Sequence, residues 1–215
     1  DTGTSLSVKF TAETKPISSD KAQDKQTTPD PSVNLQITDE FRFALNALEN
    51  SNHCLFVTGE AGTGKSTLLN YFVKNTNKKV VVLALTGVAA LNVDGQTIHS
   101  FFKFPPRPLT PADIKPSPRS ELCKKLDAIV IDEISMVRAD LLDAIDQFLR
   151  INGPTAMQPF GGIQLIFFGD LFQLPPIVST PTEGQFFGQY YRSPYFFDAH
   201  VFDDFNVNLI RLRNV

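Results

Sequence analysis

The 215-residue sequence has no tryptophan, two methionines and two cysteines. Two cysteines, Cys54 and Cys123, are too few for a disulfide framework or a four-ligand zinc site. Cys54 lies within an apolar run and reads as a small core residue. This usage fits a reducing, intracellular setting: the cytoplasm of a bacterium, or the nucleus or mitochondrion of a eukaryote. No apolar run approaches the ~18–20 residues of a membrane span, so no membrane partner is expected. The first residue is Asp and no charged-then-apolar leader follows it, which gives no sign of a signal peptide and suggests a piece of a longer product. A strong positive charge is also missing. The formal net charge is −3, which by itself argues against a non-specific polyanion binder.

What is present is a core. The apolar fraction is 42 % and phenylalanine alone occurs 19 times, enough for one sizeable domain with or without tails. Charge is uneven. Between Lys103 and Lys125 six basic residues (Lys103, Arg107, Lys115, Arg119, Lys124, Lys125) face two acids (Asp113, Glu121), a local balance of +4. A solvated loop and a polyanion-facing patch both account for such a run.

Residues 1–33 are rich in Ser, Thr, Asp, Lys, Gln and Pro and bury too little apolar surface to offset their ordering entropy. They read as a disordered tail or linker, within which Leu6-Ser-Val8-Lys-Phe10 alternates like a short strand. The remainder, 34–215, reads as one domain. Thr38 is placed to cap a helix whose first turn carries Asp39 and Glu40 and whose face carries Phe41, Ala44, Leu45 and Leu48. Strands are expected at Cys54–Thr58, Lys79–Ala84, Ala128–Asp132, Gln164–Phe168 and Val207–Ile210. Helices are expected at Lys65 to about Lys74, Gly87 to about Asn92, and Ala139–Arg150 with Leu142, Ile145 and Leu149 inward. The strands are continuous apolar runs, as when both faces are covered. The fold class is therefore α/β, a mainly parallel sheet with helices on both faces. Residues 103–120 hold six of the fifteen prolines and read as an irregular insertion.

Gly59-Glu-Ala-Gly62-Thr63-Gly64-Lys65-Ser66 matches the phosphate-binding pattern G-x-x-x-x-G-K-[ST], between an expected strand and an expected helix. Glycines let the backbone turn tightly and aim N–H groups at phosphate oxygens, and the helix that follows adds its positive end. Lys65 is suited to the β- and γ-phosphates of a nucleotide and the Ser66 hydroxyl to Mg²⁺. Asp132 and Glu133 end an apolar strand, where open α/β sheets bind ligands. Asp132 can hold the Mg²⁺ shell and Glu133 can take a proton from an attacking water. Gly169-Asp170-Leu-Phe-Gln173-Leu-Pro175-Pro176 leaves another strand on the same side. The Gln173 amide offers a donor and an acceptor to a γ-phosphate and a lytic water, and the two prolines stiffen the exit.

The stretches "GEAGTGKST", "LTGVAALNVDGQTIHSFF", "VIDEISMV", "PFGGIQLIFFGDLFQLPP" and "YYRSPYFF" resemble, in order and spacing, the first RecA-like lobe of the Pif-type (petite integration frequency) superfamily-one DNA helicases. The resemblance runs from about Leu35 to Val215, and its last long motif is the most specific. It implies an ATP hydrolase with ATP and Mg²⁺ as cofactors, moving 5′-to-3′ on single-stranded DNA. It also implies action on forks, RNA–DNA hybrids or G-quadruplexes, in repair, recombination or telomere maintenance. Carried over, Gly59, Gly62, Thr63, Gly64, Lys65, Ser66 and Thr67 become the ATP-phosphate loop. Asp132 and Glu133 become the magnesium and water-activating pair, and Gln173 the γ-phosphate sensor. Thr86, Gly87, Thr97, His99 and Ser100 resemble DNA-backbone contacts, which position a strand without reading its sequence. Phe101, Phe102 and Phe104 can stack on bases, but at least two of them are expected in the core.

Two departures stand out. The family's adenine-reading Gln falls at Phe41, with Gln36 a few residues earlier, and Leu85 stands where Pro is common. The sequence stops at Asn214-Val215, where the family's next motif would begin, so a second RecA-like lobe with its arginines is expected beyond it. Such an arginine is worth about 10³–10⁵ in rate, so these residues alone are expected to bind Mg·ATP, hydrolyse it poorly and unwind nothing. Other readings are a RecD-like or relaxase-associated P-loop ATPase, and a nucleotide-gated binding module without productive hydrolysis. A GTPase is disfavoured, because Asn77-Lys78-Lys79-Val80 lacks the Asp that reads guanine.

Overall fold

In a computed structural model of the chain, residues 10–11 and 37–213 are described. Thr38 caps the first helix, its hydroxyl accepting from the Phe41 N–H. The elements run β1 (Phe10–Thr11), α1 (Asp39–Asn50), β2 (Cys54–Thr58), α2 (Lys65–Asn75), β3 (Val80–Ala84), α3 (Gly87–Asn92), β4 (Gln96–Thr97), α4 (Ile98–Phe102), α5 (Ser120–Cys123), β5 (Ala128–Asp132), α6 (Ala139–Asn152), β6 (Gln164–Gly169), α7 (Pro181–Tyr190) and β7 (Val207–Arg211), with short 3₁₀ turns between several of them. The seven strands form one sheet in the order β1-β7-β2-β6-β5-β3-β4 and every pairing is parallel.

Parallel pairing explains the apolar strands. Leu55, Val57, Val130, Ile166 and Phe168 pack on one face with Phe41, Leu48, Leu68 and Phe72 of α1 and α2. Their neighbours Phe56, Ile129, Ile131, Leu165 and Phe167 pack on the other with Ile98, Phe101 and α6. Each strand thus alternates between two dry layers rather than between core and water. Because all strands point one way, the segments that follow β2, β3, β5, β6 and β7 leave the same edge of the sheet.

Three departures from the sequence reading have physical causes. Phe10 and Thr11 pair with Val207 and Asn208, so these two residues belong to the sheet. The rest of the expected tail, like Gln36, lies outside the described residues. Secondly, α7 is a helix not among those expected. Its signal was local: Thr180 and Glu183 form a capping box and Pro181 opens the helix. Thirdly, the proline-rich insertion is anchored rather than solvated. Leu109 and Ile114 are buried in the same layer as α6. Arg107 pairs with Asp113, the Arg119 guanidinium donates to the Phe101 carbonyl at 2.7 Å, and Lys124 pairs with Glu121. Among the six basic residues, Lys103, Lys115 and Lys125 are exposed and have no ion pair with a described residue.

Helix α6 is buried on nearly all sides, eleven of its fourteen residues being inaccessible. Three of these are aspartates, one per turn, and each satisfies backbone N–H groups of a separate loop. Asp140 accepts from Leu109 N at 2.8 Å and from the Arg138 guanidinium. Asp143 accepts from His200 N, Val201 N and the Tyr191 hydroxyl. Asp146 accepts from Phe160 N at 2.6 Å and from Arg150. These carboxylates sew the insertion, the Phe160 turn and the segment after α7 onto one pillar, as buried backbone groups require.

Candidate nucleotide and nucleic-acid site

The loop between β2 and α2 takes the shape its glycines permit. Gly62 and Gly64 both have φ +81°, and Gly64 is the residue from which α2 starts. No side chain caps α2 and no acid lies in its first turn, so its leading N–H groups stay available to an anion. The Lys65 ammonium folds back onto the loop, donating to Gly59 O at 2.7 Å and Glu60 O at 3.0 Å. Thr63 is buried and its hydroxyl donates to Glu60 O at 2.8 Å, bracing the loop from inside. Ser66 and Thr67 lie exposed at the start of the helix.

Asp132 closes β5, which pairs with β3 on one side and with β6 on the other. Burial pushes its carboxyl up to about 6. The neighbouring Glu133 pushes in the same direction, and the Lys65 ammonium acts against them. That opposing influence places Asp132 and Lys65 in one electrostatic site, although they are 67 residues apart by numbering. Glu133 has φ 51° and ψ 46°, left-handed for a residue with a side chain, a conformation that persists only where the surroundings impose it. Gly169 ends β6 against this turn. A Cβ there would lie 2.9 Å from Ile134 Cγ2 and 3.2 Å from Ile134 N, so the close approach needs glycine.

Beyond Gly169, Asp170 is buried and organises the exit. Its carboxylate accepts from Phe172 N at 3.0 Å and from the Gln173 amide at 3.2 Å, and its carbonyl accepts from Gln173 N. The side chain read as a γ-phosphate sensor is therefore held by an aspartate whose part the sequence reading did not assign. Further out the loop is apolar and exposed: Phe172 is 97 % accessible, and Leu174 and Ile177 are also in the open.

The expected DNA contacts cluster along the outer strands of the same edge. Thr86 caps α3, accepting from Ala89 N, and Thr97 caps α4, accepting from Ser100 N. Both hydroxyls thus have structural work as acceptors and keep their O–H to donate outward. Gly87 is different. A Cβ on it would meet nothing within 4 Å, so the packing of this chain does not demand a glycine there. His99 is half-buried. Burial chiefly, and the nearby Arg138 guanidinium, hold its imidazole below its ordinary range, against the pull of Asp140. A neutral imidazole with one N–H is the form this site favours. Ser100 is exposed. Phe101, Phe102 and Phe104 are all buried and pack with one another and with Phe148, so none offers a face to a base. Phe41 is likewise fully buried, edge-on to Tyr71, and cannot read adenine. Among the described residues no group of three or more His, Cys, Asp or Glu could hold a metal, and no helix is long and apolar enough to cross a membrane.

A family model for PIF1-like helicase matches residues 36–208. The ATP-dependent DNA helicase PIF1 of Saccharomyces cerevisiae (strain YJM789) is 42 % identical over 144 residues, covering 62 % of this chain and 17 % of that protein. The crystal structure of Pif1 helicase from Bacteroides in complex with ADP-AlF3 and ssDNA superposes with a TM-score of 0.77 at 40 % identity, covering 85 % of this chain and 43 % of that one. A structure of two coordinating Pif1 helicases at forked dsDNA gives a TM-score of 0.78 at 40 % identity, over 84 % and 44 % of the two chains. The chain thus spans under a fifth of the yeast relative and under half of the solved chains.

Proposed function

Since the chain belongs to the PIF1-like helicase family, we propose that it is the ATP-binding motor lobe of an ATP-dependent DNA helicase. The observation that carries the reading is the convergence on one sheet edge of Lys65, Asp132, Glu133 and Gln173. They come from three different strand ends that parallel pairing aligns. Phosphate oxygens would take the Lys65 ammonium from Gly59 O and Glu60 O, together with the free N–H groups at the start of α2. Ser66 and Asp132 supply the hydroxyl and carboxylate oxygens that suit Mg²⁺, a hard cation. When bound with the nucleotide, that ion neutralises charge on the phosphates. Glu133, held in its left-handed turn, accepts the proton of the attacking water, and the Gln173 amide orients that water against the γ-phosphate.

Single-stranded DNA would lie across Thr86, Gly87, Thr97, His99 and Ser100, with its backbone closest at Gly87, where no side chain intervenes. The ADP-AlF3 and ssDNA in the Bacteroides relative and the forked DNA of the second structure support this pairing of nucleotide and DNA. In the full-length protein we infer 5′-to-3′ movement and action on forks or G-quadruplexes, in DNA repair, recombination or telomere maintenance. A second RecA-like lobe would follow this chain, and the site of action would be intracellular. The test is ATP turnover by the full-length protein with and without single-stranded oligonucleotide, with Lys65→Ala as control. Strong stimulation by DNA, lost in the control, is the expected result. Turnover indifferent to DNA would leave a P-loop ATPase of another kind.

A further inference from the structure

Every buried polar side chain described above has its partners, with one exception. Ser135 is 1 % accessible, and its hydroxyl has no hydrogen-bond partner among the described residues. It stands in the turn after Glu133, and its backbone N lies 3.4 Å from where a Cβ of Gly169 would be. The turn carrying the proposed base and the exit of β6, which carries Asp170 and Gln173, therefore meet at this residue. An alanine would fill nearly the same space without burying an unpaired O–H, and such a group disfavours the state that contains it by ~5- to 100-fold in an equilibrium. A hydroxyl left unpaired in one arrangement and paired in another biases the chain toward the second.

We propose that Ser135 is a positioning residue that couples the Asp132–Glu133 turn to the Gly169–Gln173 loop, its hydroxyl gaining a partner from one of them when nucleotide triphosphate is bound. Glu133 lies two residues before Ser135 in the same turn, and among the described residues the Gln173 amide is held by the Asp170 carboxylate at 3.2 Å, so a nucleotide that draws on either side chain rearranges the two segments that meet at Ser135. This inference rests on the phosphate-site reading.

The coupling predicts two opposite effects of one substitution. Ser135→Ala removes an unpaired group, so the melting temperature without nucleotide rises or holds. The same change removes the partner gained on binding, so the further rise in melting temperature caused by Mg·ATPγS shrinks and affinity for Mg·ATPγS falls by ~5- to 100-fold. Ser135→Cys, which keeps a weaker donor in a similar volume, is expected to fall between wild type and alanine, and it serves if the alanine variant folds poorly. A merely structural hydroxyl would instead lower the melting temperature without nucleotide and leave the nucleotide-dependent rise unchanged, which overturns the assignment. No rise with Mg·ATPγS in the wild type would overturn the phosphate site itself, a failure separate from that of Ser135.

Discussion

Where the strands begin, polar groups are fully engaged. Lys78 donates to Leu48 O, Ser51 O and Gln164 Oε1, all at 2.7–2.8 Å, and Glu49 accepts from Thr76 and Asn77. The Asp127 carboxylate takes Lys79 N, and Gln164 also donates to His53 O. Where the same strands end, a lysine rests on loop carbonyls, a carboxyl is pushed up to about 6, a glutamate is left-handed and a serine hydroxyl is unpaired. Identical strands thus have one end that satisfies local chemistry and one that withholds it. Groups kept strained or underused are what a site needs if its best partners are to arrive with the ligand.

The sharpest way to break this contrast is Glu133→Gln at the strand ends. Steady-state ATP turnover in the full-length protein should fall by about 10²–10⁴-fold, because the proposed general base is lost, while the melting temperature stays near wild type. Asp140→Ala should do the reverse. It removes the near carboxylate partner of Arg138, leaving Glu183 at 3.8 Å, and the acceptor of the Leu109 N–H, so urea unfolding should show a loss of ~3–5 kcal/mol. Next, Lys78→Met leaves three acceptors without their cation, and the same measurement should show a loss of ~1.5–3 kcal/mol.

A pH series sharpens the comparison further. The folded pKa of Asp132, about 6, lies above its ordinary 3.8, so the folded chain holds this proton more tightly than the unfolded one. Its contribution is therefore fully present below about pH 4 and is lost as pH rises through about 6. Urea midpoints measured without divalent cation should carry that decline, and Asp132→Asn should remove it. The smallest effect is expected at Gly87→Ala. With open space around the new methyl, stability should hold or rise by ~0.4–1 kcal/mol, while affinity for a single-stranded oligonucleotide, read by fluorescence anisotropy, should weaken.

Much of this was legible in the sequence, because the signals were local. The five expected apolar strands and four expected helices reappear with ends moved by a residue or two, since apolar runs and caps are read within a few residues. The glycine turn between β2 and α2 was legible for the same reason. What escaped depends on distant partners. Asp140, Asp143 and Asp146 look like the polar stripe of a surface helix until the loops they bind are known to cover it. Asp170 and Ser135 matter through what stands beside them in space, which no spacing records. Phe41 and the three phenylalanines near His99 show the converse. At least two of those three were expected in the core, and packing buries all three together with Phe41.

The most direct measurement is backbone hydrogen exchange on this chain, alone, with Mg·ATPγS, and with a single-stranded oligonucleotide. Nucleotide is expected to slow exchange in residues 59–67, 132–136 and 169–173. The oligonucleotide is expected to slow it in 86–100, and neither ligand should alter 76–79 or 127–128, where polar groups are already engaged. Protection concentrated at the strand beginnings, or none at the strand ends, would contradict this expectation.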